Sequence, residues 1–291
     1  MTILIAPGTS RTATYVIRAL LATPSPPPLR LLAHSESSKT SLESTYADAL
    51  AEVTVTTADF LDPASLQAAM SGASTVFYNG PMSGNDVRMG KNAVDAAKAA
   101  GVQAFVFCSV LHPYISRMIH HRSKLEVEEY LFESGLKYTI LQPTHMMQNV
   151  KVKDVLKSGQ ISIPWKPEVL HGFLDLYDLG AATASILRSP ADHAYARYEL
   201  ISVNGTYHDV AKAFTACAGK EVKCMQVEPE VALKPFEARG MIRDLWVRDA
   251  LGRMFAYYNE HGLPGSPNIL RWLLGREPST WPDMIRLEGA Q

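Results

Sequence analysis

At 291 residues the chain is long enough for one large α/β domain with an attached smaller lobe, and it can bury an ample core without staples. Apolar residues at 47% and charged residues at 20% describe an ordinary soluble globular protein, and a formal net charge of -1 gives no general attraction for nucleic acid or an anionic membrane. Three cysteines argue against a disulfide framework, and no apolar run is long enough to span a bilayer. The opening MTILIAPG has no signal-peptide character, so a cytoplasmic location is expected.

Short apolar runs then alternate with helical patterns: a strand over 3–6, a helix near 12–21, a strand over 29–33, a helix near 42–51 and a strand over 53–56. The series continues with a helix over 63–70, a strand over 75–78, a helix over 87–100 and a strand over 104–107. Repeated β-α units imply a parallel sheet covered on both faces, an α/β fold. The PSPPP stretch at 24–28 is a surface loop, because the alternation resumes on either side. After Asn149 the alternation weakens. A helix over 178–187, with Asp178 as its cap, and a strand near 198–202 look like returns to the sheet. The expected division is a main domain over 1–150 with returns near 174–203, and a smaller lobe from 151–173 and 204–291. The basic stretches around Lys151 to Lys157 and Arg239 to Arg253 are mixed with acids and read as solvated helix faces.

The first strand, the loop PGTSRTA and the helix TYVIRALL form the βα unit in which dinucleotide-binding proteins hold a pyrophosphate on a helix amino terminus. Pro7, Ser10 and Ala13 stand where three glycines are usual, and Gly8 is displaced by one residue. Helix-start N–H groups with the Thr9, Ser10 and Thr12 hydroxyls and the Arg11 guanidinium suit an anion. An ordinary capped helix start explains the same residues. The second strand ends at His34-Ser35 without a carboxylate, which leans toward a 2'-phosphate, although Glu36 is close by.

The most telling stretch runs from Phe105 to Asn149. One strand ends at Cys108-Ser109, a helix carries His120 and Lys124, and a second strand ends at Gln142-Pro143. On that helix His120, Lys124, Val127 and Leu131 share one face, with Glu126, Glu129 and Glu133 away from it. An inward lysine needs a ligand, a carboxylate or a polar cleft beside it. Ser109 sits at a strand's carboxyl end, where open α/β sheets bind ligands. Of the nine histidines, His112, His120, His121 and His145 fall close together in sequence. Any of them can work as an acid or base, whereas the bland expectation is that His121 is exposed, His112 belongs to a loop and His120 packs. Tyr114 is another candidate acid if its loop folds over the site. No metal-ligand spacing accompanies the histidines. In the last third Phe236, Met241, Trp246, Phe255, Tyr257 and Tyr258 suit an apolar pocket or simple core.

The segments RTATYVIRALL, ADFLDPASL, NAVDAAKAAGVQAFVFCSV, HHRSKLEVEEYLFESGLKYTILQPTHMMQN and ILRWLLGREPSTW together resemble the NmrA-like group of atypical short-chain dehydrogenases over nearly the whole chain. The resemblance implies a Rossmann-like doubly wound sheet, a smaller carboxyl-terminal substrate lobe and NADP(H) binding. It implies Gly8, Thr9, Ser10, Arg11 and Thr12 at the phosphates, His34 near the adenosine ribose, and Asp59 and Phe60 at the adenine. Tyr78, Asn79 and Gly80 would meet the middle of the cofactor, Lys124 the nicotinamide ribose, and Pro143 to His145 the nicotinamide, with Ser109 as the catalytic serine. Two features depart from the family: the glycine-rich loop reads PGTSRTA, and the tyrosine of YxxxK is His120.

Three functions follow as expectations. The first is an NADP(H)-dependent oxidoreductase acting on a carbonyl or activated alkene of a small molecule, with Lys124 orienting the ribose, His120 or Tyr114 donating the proton and Ser109 binding the oxyanion. The second is a cofactor-sensing regulator that binds a protein partner. The third is a non-redox isomerase, dehydratase or cyclase using a histidine-rich cleft. None calls for nucleic acid, a membrane or a metal.

Overall fold

Strands β1 (Ile3–Ala6), β4 (Thr75–Tyr78) and β5 (Ala104–Cys108) are buried at every residue, so they read as unbroken apolar runs rather than as alternating ones. They lie in the middle of a seven-stranded sheet in a computed structural model that describes residues 1–49, 51–238, 240, 242 and 244–290. Arg239 and Met241, named above, lie outside the described residues.

The first half runs β1, α1 (Arg11–Leu21), β2 (Leu29–Ala33), α2 (Glu36–Thr45), β3 (Val53–Thr57), α3 (Pro63–Met70), β4, α4 (Asp86–Ala99), β5, α5 (Ile119–Glu133) and β6 (Tyr138–Pro143). The second half runs β7 (His145–Met146), α6 (Val152–Ser158), β8 (Gln160–Ile163), β9 (His171–Leu174), α7 (Leu176–Arg188), β10 (Ala196–Leu200), β11 (Val203–Gly205), α8 (Tyr207–Ala218) and β12 (Lys223–Gln226). Helices α9 (Pro229–Ala238), α10 (Leu245–His261), α11 (Asn268–Leu274) and α12 (Trp281–Gly289) complete the described chain. The main sheet has the order β3-β2-β1-β4-β5-β6-β10, parallel at every pairing. It is therefore the expected Rossmann-like doubly wound fold, and strand addition reverses direction between β1 and β4. Beside that reversal a crevice opens at the strands' carboxyl ends.

Alternate residues of β1 feed two cores. Ile3 and Ile5 join Val16, Ile17 and Leu20 of α1 and Leu179 of α7, and Leu4 joins Val94, Phe105 and Leu131 on the opposite face. Helices α1 and α7 approach so closely at Gly180 that a Cβ there would stand 2.6 Å from the Tyr15 carbonyl oxygen. A third core gathers Met147, Trp165, Phe173, Phe214, Phe255 and Trp281, next to a β11-β9-β7 sheet and a β12-β8 pair. No helix among the described residues is long and apolar enough to cross a membrane.

Three boundaries differ from expectation. Helix α2 begins at Glu36, because Ser35 accepts from the Ser38 N–H and caps it. It buries only Leu42, so apolar spacing gives no sign of its first turns. Strand β10 starts at Ala196. Helix α7 starts at Leu176 with Asp175, not Asp178, as its cap. Asp178 is instead fully buried and accepts from Ser202 Oγ at 2.9 Å, Arg276 Nη2 at 2.7 Å and the Ser279 N–H at 2.6 Å.

Candidate active site

The ends of β1 and β4 meet where the Asn79 N–H donates to the Ala6 carbonyl at 2.8 Å. The Asn79 side chain then donates to Ser10 Oγ at 3.2 Å, and the same oxygen accepts from the Ala13 N–H and caps α1. The unpaired first-turn N–H groups and positive end of α1 therefore face the crevice. Gly8 lies flat on β2: its N–H donates to the Leu32 carbonyl at 2.8 Å, and a Cβ would come 2.9 Å from Leu31 Cβ. The displaced glycine thus serves close loop packing. Arg11 reaches across the crevice rim to the Gln148 carbonyl at 3.3 Å and Asn149 Oδ1 at 2.6 Å.

Farther along the strand ends, His34 is exposed with Nδ1 3.4 Å from Ser38 Oγ, and Glu36 pairs outward with Lys39 at 3.9 Å. Asp59 accepts from the Leu61 N–H at 2.8 Å, and Asn92 donates to the Phe60 carbonyl at 3.0 Å. The buried Phe60 ring lies 5.8 Å from Tyr78. The Tyr78 hydroxyl has no hydrogen-bond partner among the described residues, and a Cβ on Gly80 would stand 2.6 Å from it.

The inward lysine has a carboxylate partner that periodicity does not reveal. Lys124, only 3% exposed, donates to Asp86 Oδ1 at 2.9 Å and to the Gly80 carbonyl at 3.3 Å. Asp86, equally buried at the first residue of α4, also accepts from Ser123 Oγ at 3.0 Å, and His120 Nδ1 lies 3.7 Å from it. Burial and the charge of Lys124 hold His120 well below the ordinary histidine pKa, so its ring is neutral at pH 7.

Ser109 lies at the carboxyl end of β5. Its hydroxyl donates to Glu128 Oε1 at 2.5 Å, within a buried cluster where Gln142 Nε2 donates to both carboxylate oxygens. Burial raises the Glu128 pKa, and the Ser109 and Gln142 hydrogen bonds pull it back. Tyr114 is 66% exposed on the outside of its loop. His112 Nε2 faces the Pro264 carbonyl at 3.2 Å and must donate to it, and its Nδ1 lies 2.9 Å from the Tyr114 hydroxyl. His121, expected on the surface, is 2% exposed. Its Nδ1 meets the His112 carbonyl at 3.2 Å, its Nε2 lies 3.5 Å from the Tyr258 hydroxyl, and burial pushes its pKa down to about 4.

Beyond Pro143, the Thr144 hydroxyl donates to the Gly172 carbonyl at 3.1 Å and β7 pairs with β9. This brings His145 beside His171, with centroids 4.9 Å apart and planes 28° apart. Tyr258 lies edge-on to His145 at 4.5 Å and Trp165 lies 5.6 Å from it, while Tyr207 stands 5.8 Å from His171. All four imidazole nitrogens and the Trp165 indole nitrogen are buried without a hydrogen-bond partner among the described residues. Each such group costs about 1–3 kcal/mol. Burial pushes His171 down to about 4 and holds His145 lower than the ordinary range, with His171 adding to the effect. Sequence reasoning found His145 but not Trp165 or His171. Nothing in their spacing ties them to it; the β7–β9 pairing brings His171 in, and Trp165 comes from the loop between β8 and β9.

Of the aromatic residues expected in the last third, Phe255 and Tyr258 are buried, while Phe236, Trp246 and Tyr257 pack partly buried against the third core. A cleft of about 340 Å³ opens against Phe255, and a smaller hollow of about 180 Å³ lies between Ser83, Ser123 and Trp246, next to Asp86.

A sequence profile of the NmrA-like family matches residues 1–284. An NAD(P)H azoreductase of Xenophilus azovorans is 26% identical over 237 residues, 80% of this chain and 81% of that protein. Two solved structures superpose over nearly the whole molecule. One is an NADPH-dependent quinone oxidoreductase of Escherichia coli in complex with NADPH, with TM-score 0.80, 23% identity and 99% of each chain covered. The other is NmrA, a negative transcriptional regulator, with TM-score 0.78, 20% identity, and 98% of this chain and 94% of that one covered.

Proposed function

The chain belongs to the NmrA-like family, and on that premise we propose that it is an NADP(H)-dependent reductase passing hydride to a conjugated acceptor, of the quinone or azo class that its relatives' names carry. The observation that carries this reading is the buried Lys124–Asp86 pair beside the Gly80 carbonyl, at the crevice where a doubly wound sheet binds a dinucleotide. In it, residues 1–150 with the returns near 174–203 form the cofactor-binding part, and 151–173 with 204–291 form the substrate lobe.

The residues present fit the cofactor. Thr9, Ser10, Arg11 and Thr12 with the start of α1 would hold the phosphates, with Gly8 letting the loop lie flat beneath them. His34 and the hydroxyls beside it would meet the 2'-phosphate and ribose, Asp59 and Phe60 the adenine, and Asn79 and Gly80 the middle of the molecule. Lys124, positioned by Asp86, would donate to the nicotinamide ribose. Pro143 and His145 would border the nicotinamide, which supplies the hydride when bound. His120, neutral, would present a hydrogen-bond donor where a tyrosine is usual. The Glu128 cluster supports a positioning role for Ser109 at the end of β5. Nothing in this reading uses Tyr114, which is solvent-facing.

Calorimetric titration with NADPH, NADP and NADH tests the reading. Micromolar binding of the phosphorylated forms is expected, weakened at least about tenfold (~1.4 kcal/mol) in Lys124→Met/Asp86→Asn, which removes the cation without stranding a carboxylate. Loss of the nicotinamide absorbance band with menadione as acceptor completes the test. No heat at millimolar cofactor would overturn it. The absent tyrosine favours a second reading, a cofactor sensor. It predicts the same binding with no turnover of any acceptor.

A further inference from the structure

We propose that the imidazole–aromatic box of His145, His171, Trp165 and Tyr258 is the acceptor site, and that it takes a flat conjugated molecule with hydrogen-bonding heteroatoms. The proposal rests on the reductase reading for the acceptor's class. Within the box itself, five ring nitrogens have no partner among the described residues, although buried ring nitrogens are ordinarily paired. Among the described residues no three His, Cys, Asp or Glu side chains converge as metal ligands, so the ring nitrogens point to an organic ligand rather than a cation.

The chemistry of the walls defines that ligand. Two neutral imidazoles and an indole offer three N–H donors and two lone pairs in a setting that is otherwise aromatic. Ring faces select a flat π-system, and the donors select acceptor atoms on it, such as carbonyl oxygens or azo nitrogens. Each imidazole also exchanges donor and acceptor roles between its two nitrogens, so one site can satisfy both a quinone, which only accepts, and its hydroquinone, which also donates.

There is also a way in. The cleft of about 340 Å³ is lined by Pro164, the neighbour of Trp165, and by Phe255. The Phe255 ring lies 5.8 Å from Trp165, which lies 5.6 Å from His145. The four rings already touch, with centroids 4.5–5.9 Å apart, so the ligand enters only as Trp165 and Phe255 turn out toward the cleft. Gly252, with no atom within 4 Å of its Cβ position, leaves α10 bare at the same cleft. His145 closes the path at the strand end where the nicotinamide is expected.

The test uses the whole 291-residue chain with NADP present, so that no turnover occurs. Menadione is titrated by calorimetry into wild type, His171→Phe and Trp165→Phe, and ring-nitrogen NMR is recorded on histidine-labelled protein. The expected result is at least tenfold weaker menadione binding in His171→Phe with NADPH affinity unchanged, and two imidazoles whose nitrogen signals move in wild type. If His171→Phe does not fold, Trp165→Phe and the wild-type spectrum decide the matter. Unchanged menadione affinity in the folded variants, or no moving imidazole signal, overturns the box. NADPH oxidation by menadione that is equal in all three proteins overturns the box and leaves the reductase reading standing. Menadione held in the box with no NADPH oxidation does the reverse.

Discussion

Lys124 and Asp86 form an ion pair at 3% and 1% exposure, and removing either strands the other. Lys124→Ala alone should cost about 3–5 kcal/mol in thermal or denaturant unfolding, and Lys124→Met/Asp86→Asn should recover most of it. Ser109→Ala should behave as a positioning change. It takes one donor from a buried carboxylate, so stability should fall about 1–3 kcal/mol while kcat moves less than about tenfold. A larger fall in kcat at unchanged Tm would return Ser109 to the reacting atoms. The inward lysine was legible because its face repeats with helical period. Its partner was not, because Asp86 sits on another helix and follows an unremarkable Ser-Gly-Asn turn. Glu128 was hidden among neighbouring glutamates, and His121 was misread because a loop carbonyl and Tyr258, far away in sequence, cover it.

Helix α7 fits α1 only because Gly180 has no side chain. Gly180→Ala should therefore destabilise by about 1–3 kcal/mol in denaturant unfolding, despite alanine's better helix propensity, since the Tyr15 carbonyl must move away. The strands of the first half were legible, since buried parallel strands are short apolar runs between turn residues. Helix α2 was not, because a helix that buries one leucine leaves almost no apolar period, and its start is signalled by Ser35 alone. The misplaced cap of α7 has a similar cause. Two aspartates stand three residues apart, and only the fold shows that Asp175 accepts from the Tyr177 N–H while Asp178 turns inward.

Across the molecule His120, His121, His145 and His171 are held neutral by burial, whereas in the unfolded chain each titrates near 6.5. Between pH 6.5 and about 4 the unfolded state therefore binds protons that the folded state does not, and stability falls as pH falls. For His121 and His171 this amounts to roughly 3 kcal/mol each over the full window, offset in part by the raised carboxyls of Glu128 and Asp175. Thermal melts from pH 7.5 to 4.5 should show Tm dropping mainly below pH 6.5, with a shallower slope in His171→Phe. The same molecule is also fastened end to beginning. Asp178 receives Arg276 and Ser279 from the last stretch of chain, and Glu288 accepts from the Tyr15 hydroxyl of the first helix. The final residues thus act as a buckle. Cutting the chain after residue 275 would leave the carboxylate of Asp178 with Ser202 alone and loosen the α1–α7 layer beneath the crevice, so a carboxyl-terminal nick should be felt first at the opposite end of the sequence.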